Sequence, residues 1–184
     1  GIQLEQPKSI AVPYQRAKVH SGTQTEPHEV SPSLVNKIVA QIVLQEGPIH
    51  QDEVARRYAD AFGKQKAGSR IVDTAIRALG RLKGKALAEG DPQSILISDG
   101  NFWMTESQNA EPSVRSRSTE GGTSLFKAEM LPPVEIARAA ELIIKESGAV
   151  SLDELVTQIA REFGYERTGP DLKAAIGEVA SLYS

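Results

Sequence analysis

The chain has 184 residues, 40% of them hydrophobic and 24% charged, with a formal net charge of −3 and no cysteine. This is the composition of an ordinary globular protein, which excludes a disordered tail, disulfide frameworks and thiolate chemistry. No apolar run approaches the roughly 20 residues a membrane-spanning helix needs, and no signal-peptide pattern opens the chain, so a cytoplasmic location is expected. The acidic balance argues against strong non-specific attraction to a polyanion, and nucleic-acid binding would require a local basic stripe. The first residue is Gly, not Met, as expected of a fragment cut from a longer protein.

In chain order, residues 1–32 read as an N-terminal extension and linker. The stretch SIAVPYQRAKV (9–19) has room for a short strand, but Pro13 argues against one because it cannot donate to a ladder. Residues 20–32 are polar and punctuated by proline. Residues 33–105 form a first folded unit. Val35, Ile38, Val39 and Ile42 recur at helical spacing, and Gly47 is placed to end that helix in a left-handed conformation. A short extended piece follows at Ile49. The apolar line Val54, Tyr58, Ala61, Phe62 predicts a second helix, stopped by Gly63. A third helix starts near Gly68–Ser69, with Ile71, Ala75, Ala78, Leu79 and Leu82 on one face. SILIS (94–98), an Asp99-Gly100 turn and FWM (102–104) then read as a β-hairpin, with Trp103 turned into the core. Three helices followed by a hairpin is the order of a winged helix.

Residues 106–133, which include VRSRS (114–118), lack apolar periodicity and read as a flexible linker. Two readings of its arginines stay open, contact with phosphate or plain solubility. Residues 134–184 repeat the first unit. At a shift of 101, the segments 42–71 and 143–172 share eight of thirty residues, including Gly47/Gly148, Asp52/Asp153, Glu53/Glu154, Phe62/Phe163, Gly63/Gly164 and Gly68/Gly169. The match includes punctuation as well as apolar positions, which chance periodicity explains poorly. Ser151 and Glu154 have the spacing of a capping box. The acidic pairs Asp52-Glu53 and Asp153-Glu154 fall in helix first turns, where they offset the dipole. The second copy reaches Ser184 where a hairpin would begin, so its wing is expected to be missing. The fold class is therefore mainly α (α+β): a tandem winged-helix or helix-turn-helix repeat, the second copy lacking a full wing.

Between Lys66 and Lys85 the chain carries six basic residues and one acidic residue, Asp73. Arg70, Arg77 and Arg81 share one face of the third helix, away from its apolar line. In a helix-turn-helix this helix enters the major groove, where arginine suits both phosphate and guanine. At its start, Gly68 allows close approach, Ser69 adds a hydroxyl, and Lys66 and Arg70 flank free N–H groups that attract anions. The candidate nucleic-acid-binding residues are thus Lys66, Gly68, Ser69, Arg70, Arg77, Arg81 and Lys83, and the partner is duplex DNA. The bland alternative is a solvated helix face. In the second copy Arg70 is replaced by Asp171, Arg77 by Glu178 and Ser69 by Pro170, so the two copies should differ in role. The histidines 20, 28 and 50 lack metal spacing and no phosphate-binding loop occurs. No catalytic residue, metal or cofactor is expected.

The strings EGPIHQDEVARRYADAFGKQKAGSRI, NFWM, VRSRS and SLDELVTQIAREFGYERTGPDL together resemble a C-terminal domain of unknown function found on very large bacterial helicase-like proteins. The resemblance spans nearly everything from about residue 33 onward, and the E-G-P-I-H to G-S-R-I run is its most specific part. It implies a parent chain joining a superfamily 1 ATPase core to a small restriction-endonuclease-like nuclease module. None of the motor or nuclease motifs is present here, so the resemblance implies an accessory, non-enzymatic role. The rival expectation is a protein-interaction module that docks on the rest of the parent chain or forms a homodimer.

Overall fold

The computed structural model describes residues 9–184. They form a mixed α/β chain, predominantly helical, with seven α-helices and two small sheets. No helix among them is long and apolar enough to cross a membrane. The chain divides into two compact units. One comprises Gln15–Pro112 with Met130–Val134; the other takes the described residues 9–14 together with Ser113–Glu129 and Glu135–Ser184.

β1 (Val12–Pro13) belongs to the second of these and is taken up with it below. In the first unit, α1 (Pro32–Glu46) starts behind Ser31, whose hydroxyl accepts the Leu34 N–H at 3.3 Å. Pro32 opens the helix at no cost because the N–H it lacks has no intrahelical partner there. The expected left-handed exit at Gly47 does not occur. Gly47 has φ −65° and ψ 145° and is followed by a cis bond to Pro48. A residue preceding proline is pushed into the extended region. Glycine is needed here for space instead, since a Cβ would collide with the Gln108 amide oxygen and crowd the Val43 carbonyl oxygen at 2.8 Å.

β2 (Ile49–His50) leads into α2 (Gln51–Ala61), whose first turn is capped by His50 Nδ1 accepting the Asp52 N–H at 3.0 Å. α3 (Ser69–Leu82) follows, then β3 (Leu96–Asp99) and β4 (Phe102–Thr105). β4 is the middle strand, antiparallel to both β2 and β3. The pair Asp99/Phe102 closes the hairpin, so the turn residues are Gly100, at φ +56°, and Asn101. This is one residue later than the sequence suggests. α4 (Glu106–Ala110) begins with a full capping box between Thr105 and Gln108.

The core of this unit joins Val35, Val39 and Ile42 of α1 to Val54 and Tyr58 of α2, Ala75, Ala78 and Leu79 of α3, and Leu96 and Trp103 of the hairpin. Trp103 is 8% exposed, as expected, and the next residue in the strand, Met104, is buried as well at 1%. Glu46 continues the α1 apolar line and is fully buried. It meets Arg57 Nε at 2.8 Å, and Arg57 reaches Glu53 at 3.0 Å. Glu53, expected as a first-turn acid that offsets the helix dipole, does sit in that turn but is also a buried ion-pair partner, held by Arg56 at 2.6 Å. Residues 20–32 are not a loose linker. Ser21 N–H donates to the Ala61 carbonyl at 2.8 Å, and Val30 packs on the core. The Tyr58 hydroxyl, buried and pushed up to about 12 by that burial against the opposing field of Arg81, donates to the Pro27 carbonyl. A buried hydroxyl must find an acceptor, and this strap supplies it.

In the second unit, β5 (Arg115–Ser116) lies within the stretch expected to be flexible and pairs in parallel with β1. Val12 N–H donates to the Val114 carbonyl and Tyr14 N–H to that of Ser116, both at 2.9 Å. Pro13 falls between these donors, where no N–H is required, so it does not oppose the strand. α5 (Pro133–Ser147), α6 (Leu152–Glu162) and α7 (Pro170–Ala180) complete the unit. Each begins 101 residues after α1, α2 and α3 respectively. Ile136, Ala139, Ala140, Leu155, Ile159, Phe163 and Ile176 are buried. Gly148 and Gly164 end their helices at φ +73° and +92°. Ser151 accepts the Glu154 N–H at 3.2 Å, while the Glu154 carboxylate turns to Gln158. The capping box is thus seen in its first half.

The arginines of VRSRS are neither solvated nor free for phosphate. Arg115 is 8% and Arg117 1% exposed, and both close on the fully buried Glu135 at 2.7 Å. Burial alone would raise the Glu135 pKa, but the two guanidiniums overcome it and hold the carboxyl at about 2. Tyr14 stacks against both arginines, and Phe163 against Arg117. Sequence composition marked this segment as a linker because its pairing partners, Tyr14 and Glu135, lie far away in the chain.

Candidate nucleic-acid interface

α3 buries Ala75, Ala78 and Leu79 and half-buries Ile71, Val72 and Leu82. At about 100° per residue Arg70, Arg77 and Arg81 fall together on a flank beside this stripe, and all three are exposed. From Arg70 to Arg81 the helix rises about 16 Å, more than the roughly 12 Å width of a major groove.

The predicted residues differ in how firmly they are held. Arg77 Nη2 lies 3.1 Å from Asp73 Oδ2 one turn earlier, with both side chains mostly exposed at 72% and 61%. An exposed pair of this spacing is worth about 0.3–0.5 kcal/mol, so a phosphate can displace Asp73. Arg81 donates from Nε and Nη2 to Asn36 Oδ1 of α1 at 3.1 and 2.9 Å. Its fork is thereby oriented, with further N–H donors left over. Arg70 is exposed and makes no ion pair among the described residues; its carbonyl accepts from Thr74. Lys83 caps the end of α3 and sits 5.9 Å from the centre of the Trp103 ring. It is thereby drawn to the hairpin and lies apart from the arginine face.

At the other end, Gly68 is the residue before α3 and no side chain caps the helix. Lys66, Gly68 and Ser69 are all exposed. The first N–H groups of the helix therefore face open space beside Lys66 and Arg70, an arrangement favourable to an anion. In the second unit the corresponding corner begins with Pro170 and Asp171, and Glu178 occupies the position of Arg77. Asp171 and Glu178 are exposed, and a phosphate would meet repulsion there.

The residues that position this face were not named from sequence. Asp73 could have been suspected from its i,i+4 spacing to Arg77. Asn36 could not, since its role depends on how α1 packs on α3. Among the described residues no group of three or more His, Asp or Glu could hold a metal ion.

Residues 25–73 match the model of a family described as a protein of unknown function, DUF3320. The matched segment runs from the strap that receives Tyr58 through α1 and α2 into the first turn of α3. It contains Lys66, Gly68, Ser69 and Arg70 but stops before Arg77 and Arg81. Neither the search of curated proteins nor that of solved structures returned a match.

Proposed function

We propose that the chain is a non-enzymatic accessory domain that engages duplex DNA, with its first unit a winged helix and its second a winged-helix-like copy without a full wing. The observation that carries this reading is the exposed line of Arg70, Arg77 and Arg81 along one flank of α3, outside its buried alanines. It is supported by element order, since a middle strand β4 between β2 and β3 follows the three helices as a wing would. Lys66, Gly68 and Ser69 receive a backbone phosphate at the helix start, while Arg70, Arg77 and Arg81 follow the groove. Lys83, drawn to the Trp103 ring, adds positive charge only from outside that face. In this reading the parent is a larger, cytoplasmic, helicase-like protein, and the domain contributes DNA grip to its motor.

The acidic counterpart positions Asp171 and Glu178 favour a different job for the second unit, docking on the remainder of the parent chain or on a second copy. Anisotropy of a labelled duplex at low salt tests the DNA reading. Binding should weaken steeply with added salt. Changing Arg70, Arg77 and Arg81 together to Glu should cost on the order of 100-fold or more in affinity. Absence of binding by the unaltered chain, or indifference to the triple change in a folded variant, would sink the proposal.

A further inference from the structure

In the first unit, the short strand β2 between α1 and α2 is covered by the hairpin. Ile49 pairs with Trp103 of β4, and α1 packs against the same strand. Val43 and Ile49 are sealed, at 0% and 2% exposure, in a core that Leu96 and Trp103 complete. The Trp103 indole N–H reaches Gln51 Oε1, on the first residue of α2, at 3.5 Å. At the offset of 101, the second unit has Ile144, Val150 and Leu152 in the places of Val43, Ile49 and Gln51. No strand pairs with this stretch among the described residues. Ile144 and Val150 are half-buried, Ala149 is exposed, and Leu152 is 36% exposed. Neither Ala149 nor Val150 makes a backbone hydrogen bond among the described residues. Open apolar side chains beside unpaired N–H and C=O groups make a template for strand addition.

We infer that the stretch from Ala149 to Leu152 is a docking edge for an apolar β-strand of a partner polypeptide that carries basic residues at its ends. The strand takes the place that β4 holds in the first unit, bonded to the Val150 backbone and with apolar side chains set on Ile144 and Leu152. The inference rests on the reading of the second unit as a copy without a wing, and it is independent of the DNA reading. Backbone and side chains together call for a strand, because a strand meets the Val150 N–H and C=O and presents side chains to one face at every second residue. Leu152 in place of Gln51 fits an apolar visitor, since it offers greasy surface where the built-in hairpin uses a hydrogen bond to Trp103. The charge of the partner follows from the rim. Glu146 on one side and Asp153 and Glu154 on the other are exposed, and Lys145 is the single base from 145 to 154. Asp153 is held only loosely by Lys173, at 3.9 Å. A second copy of this chain brings the same acids to the edge, and like charges facing each other across paired strands are destabilising.

The test uses the whole chain and a labelled peptide of about ten residues, alternating valine and threonine around a central tryptophan, with lysines at both ends. Anisotropy should report binding with Kd below about 100 µM. Hydrogen exchange of the Val150 amide should slow about 10-fold or more on binding, while that of Ile49, already paired, stays as it was. The same peptide N-methylated along its bonding edge should bind about 10-fold more weakly, a control that leaves the protein untouched. Leu152→Gln, a change at an exposed position, should weaken binding about 5-fold. No binding, or binding that leaves Val150 exchange unchanged, overturns the docking edge. Indifference to N-methylation overturns strand addition, and equal binding of a peptide ended by glutamates overturns the basic partner. If the chain alone is a dimer in light scattering, with Val150 already protected and Leu152→Gln shifting it toward monomer, the occupant is a second copy instead. The duplex titration above is read separately, so a failed edge leaves the DNA reading standing and the reverse.

Discussion

In the first unit, charge is buried where two helices meet: Glu46 at the end of α1 faces Arg57 on α2, and Glu53 completes the set. In the second, the matching positions are Ser147, Gln158 and the exposed Glu154. There the buried charge is Glu135 at the start of α5, closed by Arg115 of β5 and Arg117 just after it, both outside the helical repeat. Helix starts are preserved at a constant offset, yet the ionic locks have moved. What recurs is the apolar frame and its punctuation. The polar interior was settled separately in each copy, by whichever segment covers it.

The largest effects should come from breaking these locks. Glu135→Ala removes the buried carboxylate that two guanidiniums share, and Arg57→Ala removes the buried guanidinium that Glu46 and Glu53 share. Each should cost about 3–5 kcal/mol in urea unfolding. A loss below about 1 kcal/mol in either would show that water reaches that cluster and that the two locks are not alike.

Acid sharpens the same contrast. The Glu135 pKa in the folded chain, about 2, lies below its ordinary value of 4.5. Its contribution to stability is therefore complete above about 4.5 and is lost as pH falls through about 2. Unfolding free energy measured across that window should drop more steeply in the unaltered chain than in Glu135→Gln. Equal slopes would remove Glu135 from the account.

Next in size are the aligned glycines 47 and 148, which are conserved for different reasons. Gly47→Ala should cost about 1–3 kcal/mol through collision with Gln108. Gly148→Ala should cost about 1 kcal/mol because of its positive φ alone. Shortening Gln108 to Ala should relieve part of the first penalty and none of the second, so a double-mutant cycle separates them. The smallest effects belong to the caps. Ser31→Ala and Ser151→Ala should each cost about 1 kcal/mol by thermal unfolding, and here the two units should behave alike.

The helices of both copies could be read from apolar periodicity and glycine punctuation, because those signals are local. The hairpin was legible for the same reason, although its turn slipped by one residue, from Asp99-Gly100 to Gly100-Asn101. Elements made by distant partners were not. β5 and the burial of Arg115 and Arg117 depend on Tyr14 and Glu135, and no local pattern in a polar, serine-rich stretch announces them. One clue existed in retrospect: Glu46 and Glu135 both fall on the buried face of their helices, and a carboxylate there demands a buried cation. For the candidate interface, helical spacing was enough to gather Arg70, Arg77 and Arg81. It could not tell that Arg81 is oriented by Asn36 or that Lys83 turns to Trp103.

The pairing of β1 with β5 also has a consequence for timing. Val12 cannot meet Arg115 until about 100 further residues have been made, and at 5–20 residues per second that is a wait of roughly 5–20 s on the ribosome. The whole first unit except Met130–Val134 is synthesised in that interval. The early strand must therefore stay unpaired while most of its neighbour emerges. Its brevity and its proline make it a poor template for a wrong strand during that wait.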